Sequence, residues 1–222
     1  MTAAPTWSIL VPTLGERRAL FERLLDGLMP QIARHDGRAR VIAWHNNGRP
    51  SLPEIRQRMV LGAETDYVSF VDDDDLVAPD YVDSILEAME YRTDYVGFQL
   101  QCYSNGHPTG IAYHSLEFTR WRNLPGRYER DISHINPVLT EIARRADFRT
   151  TRAGGAEDRA WADQLRRMRA LRTEVVIPRI LYHYLHVTPD KSTGSRWKNP
   201  RLIRAGSRSN VVHPYFTWSN DA

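Results

Sequence analysis

The chain has 222 residues, 41% of them hydrophobic, which is enough for one domain with a sizeable core. It carries 30 Lys and Arg against 27 Asp and Glu, a formal net charge of +3, and a single cysteine, Cys102. One cysteine excludes an intramolecular disulfide and a thiolate metal site, so we expect a half-buried strand residue there. No run approaches the roughly 18 to 20 apolar residues of a membrane span, and the first residues lack a signal-peptide layout, which predicts a cytoplasmic protein.

The first half of the chain alternates short apolar runs with amphipathic segments. Runs typical of buried strands lie at 7–12, 41–44, 66–71 and 95–103. The intervening spacing predicts one helix from Leu20 to Leu28, a second over about 53–64 and a third that starts after Pro79. Strands that alternate with helices in this way predict an α/β domain with a mostly parallel central sheet.

The chain becomes less regular from about residue 104. Turn signals occur at 104–106 and 124–126, and we expect helices at about 138–145 and 158–168 and a strand at 174–177. Many of the basic residues lie in the C-terminal half, which indicates an anionic partner on that side.

Four aspartates, Asp72–Asp75, directly follow the third apolar run. Adjacent carboxylates at the end of a buried strand repel one another because the local dielectric is low. In open parallel sheets this edge is also where ligands bind. An Asp-x-Asp there suits Mg²⁺ or Mn²⁺ with a nucleoside diphosphate, since these ions take one or two carboxylates plus phosphate oxygens. The alternative is a solvated turn that caps the next helix, a role we expect for Asp75.

Further motifs surround the acidic run in a fixed order. They are Val11–Thr13 with spaced leucines after it, Arg56, Ala63–Tyr67, Phe70–Asp75 with Pro79 beyond, Asn136–Leu139, Ala146–Phe148, and Ala156–Asp158 with Trp161. In this order and spacing the chain resembles the family 2 glycosyltransferases over about residues 7–192. The resemblance implies a single Rossmann-like GT-A domain, the fold of nucleotide-diphospho-sugar transferases, over 1–222. Within it we expect a nucleotide-sugar-binding half at about 1–103, an irregular acceptor-side half at about 104–192, and a basic aromatic tail or lid at 193–222.

Residue roles follow from the resemblance position by position. Asp74 matches the metal ligand and Asp72 a ligand of the metal and of the sugar or ribose, with Asp73 beside them at the donor. The positions that match the family's nucleotide contacts are Pro12, Thr13, Glu16 and Arg56. Asp158, preceded by Glu157, matches the catalytic base, and the alternative is that it only caps a helix.

The end of the second strand departs from the family pattern. The family commonly places there an aspartate that reads a uracil ring, whereas this chain has His45 followed by Asn46. Uridine as the donor base is therefore in question, and His45 or Asn46 is a candidate to read a different base.

The segment Leu181–His186 contains two histidines near the position where relatives place one that meets the metal or the diphosphate. On a strand, His186 would share a face with residues 182 and 184 while His183 points to the other face, so His186 is the better metal candidate. The alternative is a structural histidine. Lys191 and Arg196 are candidates to neutralise phosphate on a closing loop, or they belong to a solvated basic tail.

Together these matches imply a metal-dependent inverting glycosyltransferase that uses Mn²⁺ or Mg²⁺ and transfers a sugar from a nucleotide-sugar donor to an acceptor hydroxyl. We expect a glycan acceptor rather than modified bases in DNA, an alternative that the arginines of the C-terminal half and the basic aromatic tail favour. Two other classes stay open. One is a nucleotidyltransferase of similar fold, for which 12–18 is a poor phosphate loop, and the other is a non-catalytic nucleotide-sugar binder.

Overall fold

The computed structural model describes residues 3–46, 49–150 and 156–187, together with the backbone of 216–219. The strands are β1 (Trp7–Leu14), β2 (Ala39–Asn46), β3 (Tyr67–Phe70), β4 (Leu76–Val77), β5 (Tyr95–Ser104), β6 (His107–His114), β7 (Arg122–Leu124), β8 (Arg127–Arg130), β9 (Val138–Leu139), β10 (Glu174–His186) and β11 (Phe216–Ser219). The α-helices are α1 (Arg18–Ile32), α2 (Leu52–Gly62), α3 (Tyr81–Met89), α4 (Thr140–Ala143) and α5 (Glu157–Arg167).

One sheet of mixed direction runs through the molecule in the order β11-β2-β1-β3-β9-β5-β6-β8-β7, and β10 pairs with both β5 and β4. Strand β1 is parallel to β2 and β3, and β10 is parallel to β5. The short β9 is antiparallel to both β3 and β5, so those two strands point the same way. The carboxyl ends of β1, β2, β3, β5 and β10 therefore lie at one edge of the sheet.

Helices cover both faces of this sheet, and the alternation of β1 shows how. Trp7, Ile9 and Val11 are fully buried in one cluster with α1 and α3. Leu10 points the other way, into a second cluster with α2 and α5. Because neighbouring strand residues point to opposite faces, a strand buried on both sides has an unbroken apolar sequence. The predicted α/β class with a mostly parallel central sheet is confirmed.

The structure also corrects several element assignments. The helix predicted at about 138–145 is wrong at its start, because Val138 and Leu139 pair with β3 and β5 and only Thr140–Ala143 is helical. The strand predicted at 174–177 continues to His186. Strands β6, β7 and β8 were not predicted, nor was a strand within the expected tail, where 216–219 lies parallel to β2. Cys102 is half-buried on β5, as expected.

Among the described residues no helix is long and apolar enough to cross a membrane.

The buried face of α1 supports a stability prediction. Leu24 is 1% exposed, whereas Leu61 on α2 is 51% exposed. We expect Leu24→Ala to lower the free energy of unfolding by about 2 to 5 kcal/mol, since it removes buried methyl groups and leaves a cavity. Leu61→Ala is the matched control and should change it by no more than about 0.5 kcal/mol. Urea unfolding measures both, and equal losses would contradict the helix placement.

Candidate active site at the carboxyl edge of the sheet

The acidic run lies where the order of the strands reverses along the chain. Strand β1 has β2 on one side and β3 on the other, so the loops after β1 and β3 leave the sheet side by side. Crevices at such points are where open α/β sheets bind their ligands. Pro12 and Thr13 end β1, Glu16 is exposed just beyond them, and Asp72 begins the run after β3. The structure thus places these predicted residues together at the carboxyl edge of the sheet.

The four aspartates alternate between buried and accessible positions. Asp73 and Asp75 are each 1% exposed, while the side chains of Asp72 and Asp74 are 29% and 28% exposed. The two accessible carboxylates are thus the two of the Asp-x-Asp. The two buried ones face the protein, where other groups must satisfy them.

Asp73 and Asp75 are held by hydrogen bonds from distant parts of the chain. Thr13 Oγ1 donates to Asp73 at 2.7 Å, and Arg17 Nη2 lies 2.9 Å from its other oxygen. Asp75 accepts from the Tyr182 hydroxyl at 2.8 Å and from the Leu185 backbone N–H at 2.7 Å. The expected helix cap at Asp75 is therefore wrong, because its carboxylate binds β10 instead of the first turn of α3.

Arg56 connects the acidic run to a second acidic pair. Its guanidinium lies 2.9 Å from Asp72 Oδ1 and 2.6 Å from Glu157 Oε1, although Glu157 is 101 residues away in sequence. Arg56 is only 4% exposed and lies over the Phe70 ring, 5.5 Å from its centroid. Burial makes both ion pairs stronger than surface pairs, provided that each partner remains in place. Arg56 thereby keeps Glu157 and Asp158 near Asp72.

Asp158 lies in the first turn of α5 with its carboxylate 31% exposed. Its Oδ1 accepts the backbone N–H of Arg159 at 2.7 Å, and its Oδ2 lies 3.7 Å from His134 Nδ1. One carboxylate oxygen thus faces a buried imidazole while the group as a whole remains reachable from solvent. That arrangement suits a base that takes a proton from an incoming hydroxyl.

Burial and mutual repulsion disfavour charge on three of the four aspartates. Burial is the largest effect on each pKa. It raises the pKa of Asp73 to about 6, and it raises the pKa of Asp74 despite the nearby Arg17. Burial, with repulsion from Asp72 and Asp74, raises the pKa of Asp75 well above its usual range. For Asp72, burial is outweighed by the positive charge of Arg56, with a further contribution from Arg17, and its pKa is lowered. Asp72 is thus the carboxylate most firmly kept charged.

Within the part of the chain that the structure describes, no three His, Cys, Asp or Glu side chains cluster as a metal cage would require. The two accessible carboxylates of Asp72 and Asp74 nevertheless fit Mg²⁺ or Mn²⁺, which use few protein ligands when phosphates supply the rest. The raised pKa of Asp74 is also compatible with a bound cation, because a cation would offset the burial that disfavours the charged carboxylate.

The predicted histidine ligand lies on the expected face of β10. The Tyr182 hydroxyl reaches the acidic run, and the Tyr184 and His186 rings stack with their centroids 6.4 Å apart. Both residues are exposed, and Asp75 and then Asp72 contribute to a raised pKa at Tyr184, after burial. His183 instead contacts the Tyr103 ring. A metal-binding role for His186 stays a prediction.

The remaining predicted residues divide into two groups. His45 and Asn46 end β2 beside Thr13 and Leu14 of β1, and the Asn46 amide donates to the Pro50 carbonyl at 3.0 Å. They therefore lie at the same sheet edge as the acidic run. Lys191 and Arg196 lie outside the described residues.

Sequence reasoning missed three members of the site: Arg17, His134 and Tyr182. Arg17 binds Asp73 and Asp74. Its position four residues after Thr13 could have predicted this contact, because the loop after β1 passes the end of β3, where the acidic run begins. Tyr182 lies on the face of β10 that alternation predicted. His134 precedes β9 in an irregular segment, where no periodicity marks it.

Comparison with known proteins identifies a family and a fold. The sequence model of "Glycosyl transferase family 2" matches residues 23–147, more than half of the chain. None of the curated protein sequences matches. The fold is similar to crystal structures of S. aureus TarS 1–349, with a TM-score of 0.55 at 17% identity, covering 81% of this chain and 60% of that one.

A second crystal structure, of TarS 1–349 in complex with UDP-GlcNAc, gives a TM-score of 0.56 at 15% identity, covering 86% of this chain and 61% of that one. This chain thus spans about 60% of the TarS 1–349 structures that it matches. At such identities the likeness concerns the fold, and it confirms the expected GT-A fold.

The burial of Asp73 predicts a pH-dependent stability. With its pKa raised to about 6, Asp73 binds more protons in the folded than in the unfolded chain between about pH 4 and 6, so its contribution to stability falls as pH rises. Asp73→Asn removes that loss. Relative to wild type, the variant should gain up to about 3 kcal/mol in free energy of unfolding between pH 4 and 7.

Urea unfolding in EDTA-treated buffer at several pH values measures this difference. Asp83→Asn is the opposite-sign control, because hydrogen bonds from Arg34 and His35 outweigh burial and lower the pKa of Asp83. Its relative stability should fall as pH rises. A pH-independent difference between wild type and Asp73→Asn would show that Asp73 is charged in the fold across this range.

Proposed function

Since this chain belongs to glycosyl transferase family 2, we propose that it transfers a sugar, with inversion, from a nucleoside-diphosphate donor to an acceptor hydroxyl. One observation carries the proposal. Arg56 binds both Asp72 of the acidic run and Glu157, the neighbour of Asp158. Two acidic groups far apart in sequence are thereby joined across one crevice, as a reaction with a donor side and an acceptor side requires.

The donor side consists of two accessible carboxylates and a partly exposed arginine, Arg17. Asp72 and Asp74 would hold Mn²⁺ or Mg²⁺, which when bound would stabilise the negative charge of the departing nucleoside diphosphate. Arg17 lies within ion-pair distance of Asp73 and Asp74, and its positive charge would also attract the diphosphate as that charge develops. Pro12, Thr13 and Glu16 border the same edge, where they would meet the nucleoside.

The acceptor side is built around Asp158. Its carboxylate takes the proton of the acceptor hydroxyl as that oxygen attacks the anomeric carbon, and the bond from this carbon to the diphosphate oxygen breaks on the opposite side. The proton ends on Asp158 and the electron pair of the broken bond on the diphosphate. Glu157 is engaged with Arg56 and so is the less available of the two carboxylates.

We propose a donor half at about 1–103, an acceptor half at about 104–192, and a glycan acceptor. Three arginines that had favoured a nucleic-acid acceptor are engaged within the fold. Arg144 donates to the Ala63 carbonyl, Arg149 pairs with Asp147 at 2.8 Å, and Arg166 pairs with Asp131 and Asp163. A cytoplasmic location stays a prediction.

The donor base is open because His45 stands at the end of β2, so donors with several bases must be tested. UDP-GlcNAc is the first probe, since the GT-A structure of TarS 1–349 contains it. Release of nucleoside diphosphate indicates glycosyl transfer, whereas release of pyrophosphate would indicate nucleotidyl transfer.

Replacing the proposed base should abolish transfer without abolishing donor binding. We expect Asp158→Asn to lower the transfer rate by about 100- to 10,000-fold, because the acceptor hydroxyl keeps its proton. Release of nucleoside diphosphate from a panel of nucleotide sugars measures the rate. Asp163→Asn, on the same helix, is the matched control and should remain active. Full activity of Asp158→Asn would assign the base to another residue.

Metal-dependent donor binding should depend on Asp74. With Mn²⁺ present, a donor at 100 times its Kd should stabilise the wild-type fold by about 2.7 kcal/mol and raise its Tm. We expect EDTA or Asp74→Ala to remove that shift, and the control Asp26→Ala, at an exposed position on α1, to keep it. A donor-induced shift that survives both EDTA and Asp74→Ala would overturn the metal assignment.

A further inference from the structure

His134 is a buried imidazole that adjoins both ends of the proposed site. It is 7% exposed, and among the described residues neither ring nitrogen has a hydrogen-bond partner. The backbone around it is fixed, because its carbonyl accepts the Phe70 N–H at 2.9 Å and its ring lies against that of Phe70. Buried polar side chains almost always have partners, so an unsatisfied imidazole calls for a specific explanation.

Three charged groups surround the ring, one from each neighbouring element. They are Arg56 on α2, Asp72 after β3 and Asp158 on α5. Burial, followed by the Arg56 guanidinium, lowers the pKa of His134 to about 4 against the opposing pull of Asp158 and Asp72. The ring is therefore neutral near pH 7, with one nitrogen that can donate and one that can accept.

The geometry distinguishes between the two nitrogens. Nδ1 lies 3.7 Å from Asp158 Oδ2, slightly beyond hydrogen-bond range, and catalytic hydrogen bonds often tighten only when substrate is bound. Neither nitrogen is accessible at the surface, so a substrate cannot contact them while the ring stays in place. A charged carboxylate accepts hydrogen bonds only, so the proton belongs on Nδ1. Nε2 is then the acceptor, and an acceptor suits a ring near Arg56, because a guanidinium only donates hydrogen bonds.

We propose that His134 is a positioning residue for the base: its Nδ1–H donates to Asp158 and holds that carboxylate in the orientation that receives the acceptor proton. This inference rests on the proposed function, in which Asp158 is the base. His134 itself never exchanges a proton with the substrate. It replaces the water that would otherwise solvate the inner oxygen of Asp158.

The first test needs no substrate. Nitrogen-15 NMR of the histidine rings, with the His134 signal assigned by its loss in His134→Gln, reports which nitrogen carries the proton. We expect the Nδ1–H form in the wild type and a shift toward the Nε2–H form in Asp158→Ala. An Nε2–H ring in the wild type, or a ring unaffected by Asp158→Ala, would overturn the proposal.

Transfer kinetics provide the second test, because an asparagine amide can reach the place of Nδ1 whereas a glutamine amide reaches that of Nε2. We expect His134→Leu and His134→Gln to lower kcat by about 10- to 100-fold with donor KM unchanged. Loss of the hydrogen-bond partners that orient metal ligands in other enzymes has effects of that size. His134→Asn should keep most of the rate.

A double variant separates failure of this inference from failure of the proposed function. If His134 acts through Asp158, adding His134→Leu to Asp158→Asn should cost no further activity. A further loss, or a normal rate in His134→Leu alone, would overturn the positioning role. Full activity of Asp158→Asn would instead overturn the assignment of the base itself, whatever residue stands at 134. Thermal unfolding of each variant identifies losses that come from misfolding.

Discussion

The repulsion among four adjacent carboxylates is the constraint that most of this site answers. A buried strand that ends in Asp72–Asp75 cannot leave all four charges in a low-dielectric edge without partners. The fold turns two inward and two outward, and it supplies each with a different group. Thr13 comes from the end of β1, Arg17 from the turn after β1, Arg56 from α2, and Tyr182 from β10.

That arrangement also gives different roles to the four aspartates, although their side chains are chemically identical. Asp73 and Asp75 satisfy the fold, and the burial that raises their pKa values reduces their value as metal ligands. Asp72 and Asp74 remain accessible, which matches the spacing of an Asp-x-Asp. The intervening residue is thus a structural part of the motif, since it anchors the loop to β1.

The sequence supports the first half of the fold better than the second for a physical reason. Strands buried on both faces leave long apolar runs, so β1, β2 and β3 could be predicted. The two-residue strands β4 and β9 are too short for any periodicity, and Val138–Leu139 is as apolar as the start of a buried helix. Strands β7 and β8 are short and polar, and β6 begins with a polar half, so their pairing leaves little trace in the sequence.

In the site, charged residues that belong to ordered sequence motifs could be predicted, whereas residues that join the site only through tertiary contacts could not. Asp72, Asp74 and Asp158 stand in motifs whose order along the chain is informative. His134 stands in an irregular segment, and it meets Arg56 of α2 and Asp158 of α5 only after the chain has folded.

The bond between Tyr182 and Asp75 joins residues 107 positions apart, and it bears on how the protein is made. During synthesis, strands β1 to β3 leave the ribosome long before β10 does. Until β10 docks, Asp75 lacks both its hydroxyl and its backbone donor, and only the Asp73 side of the acidic loop is anchored. Nucleotide-sugar binding would then switch on late, which makes it a reporter of completed folding in nascent chains of increasing length.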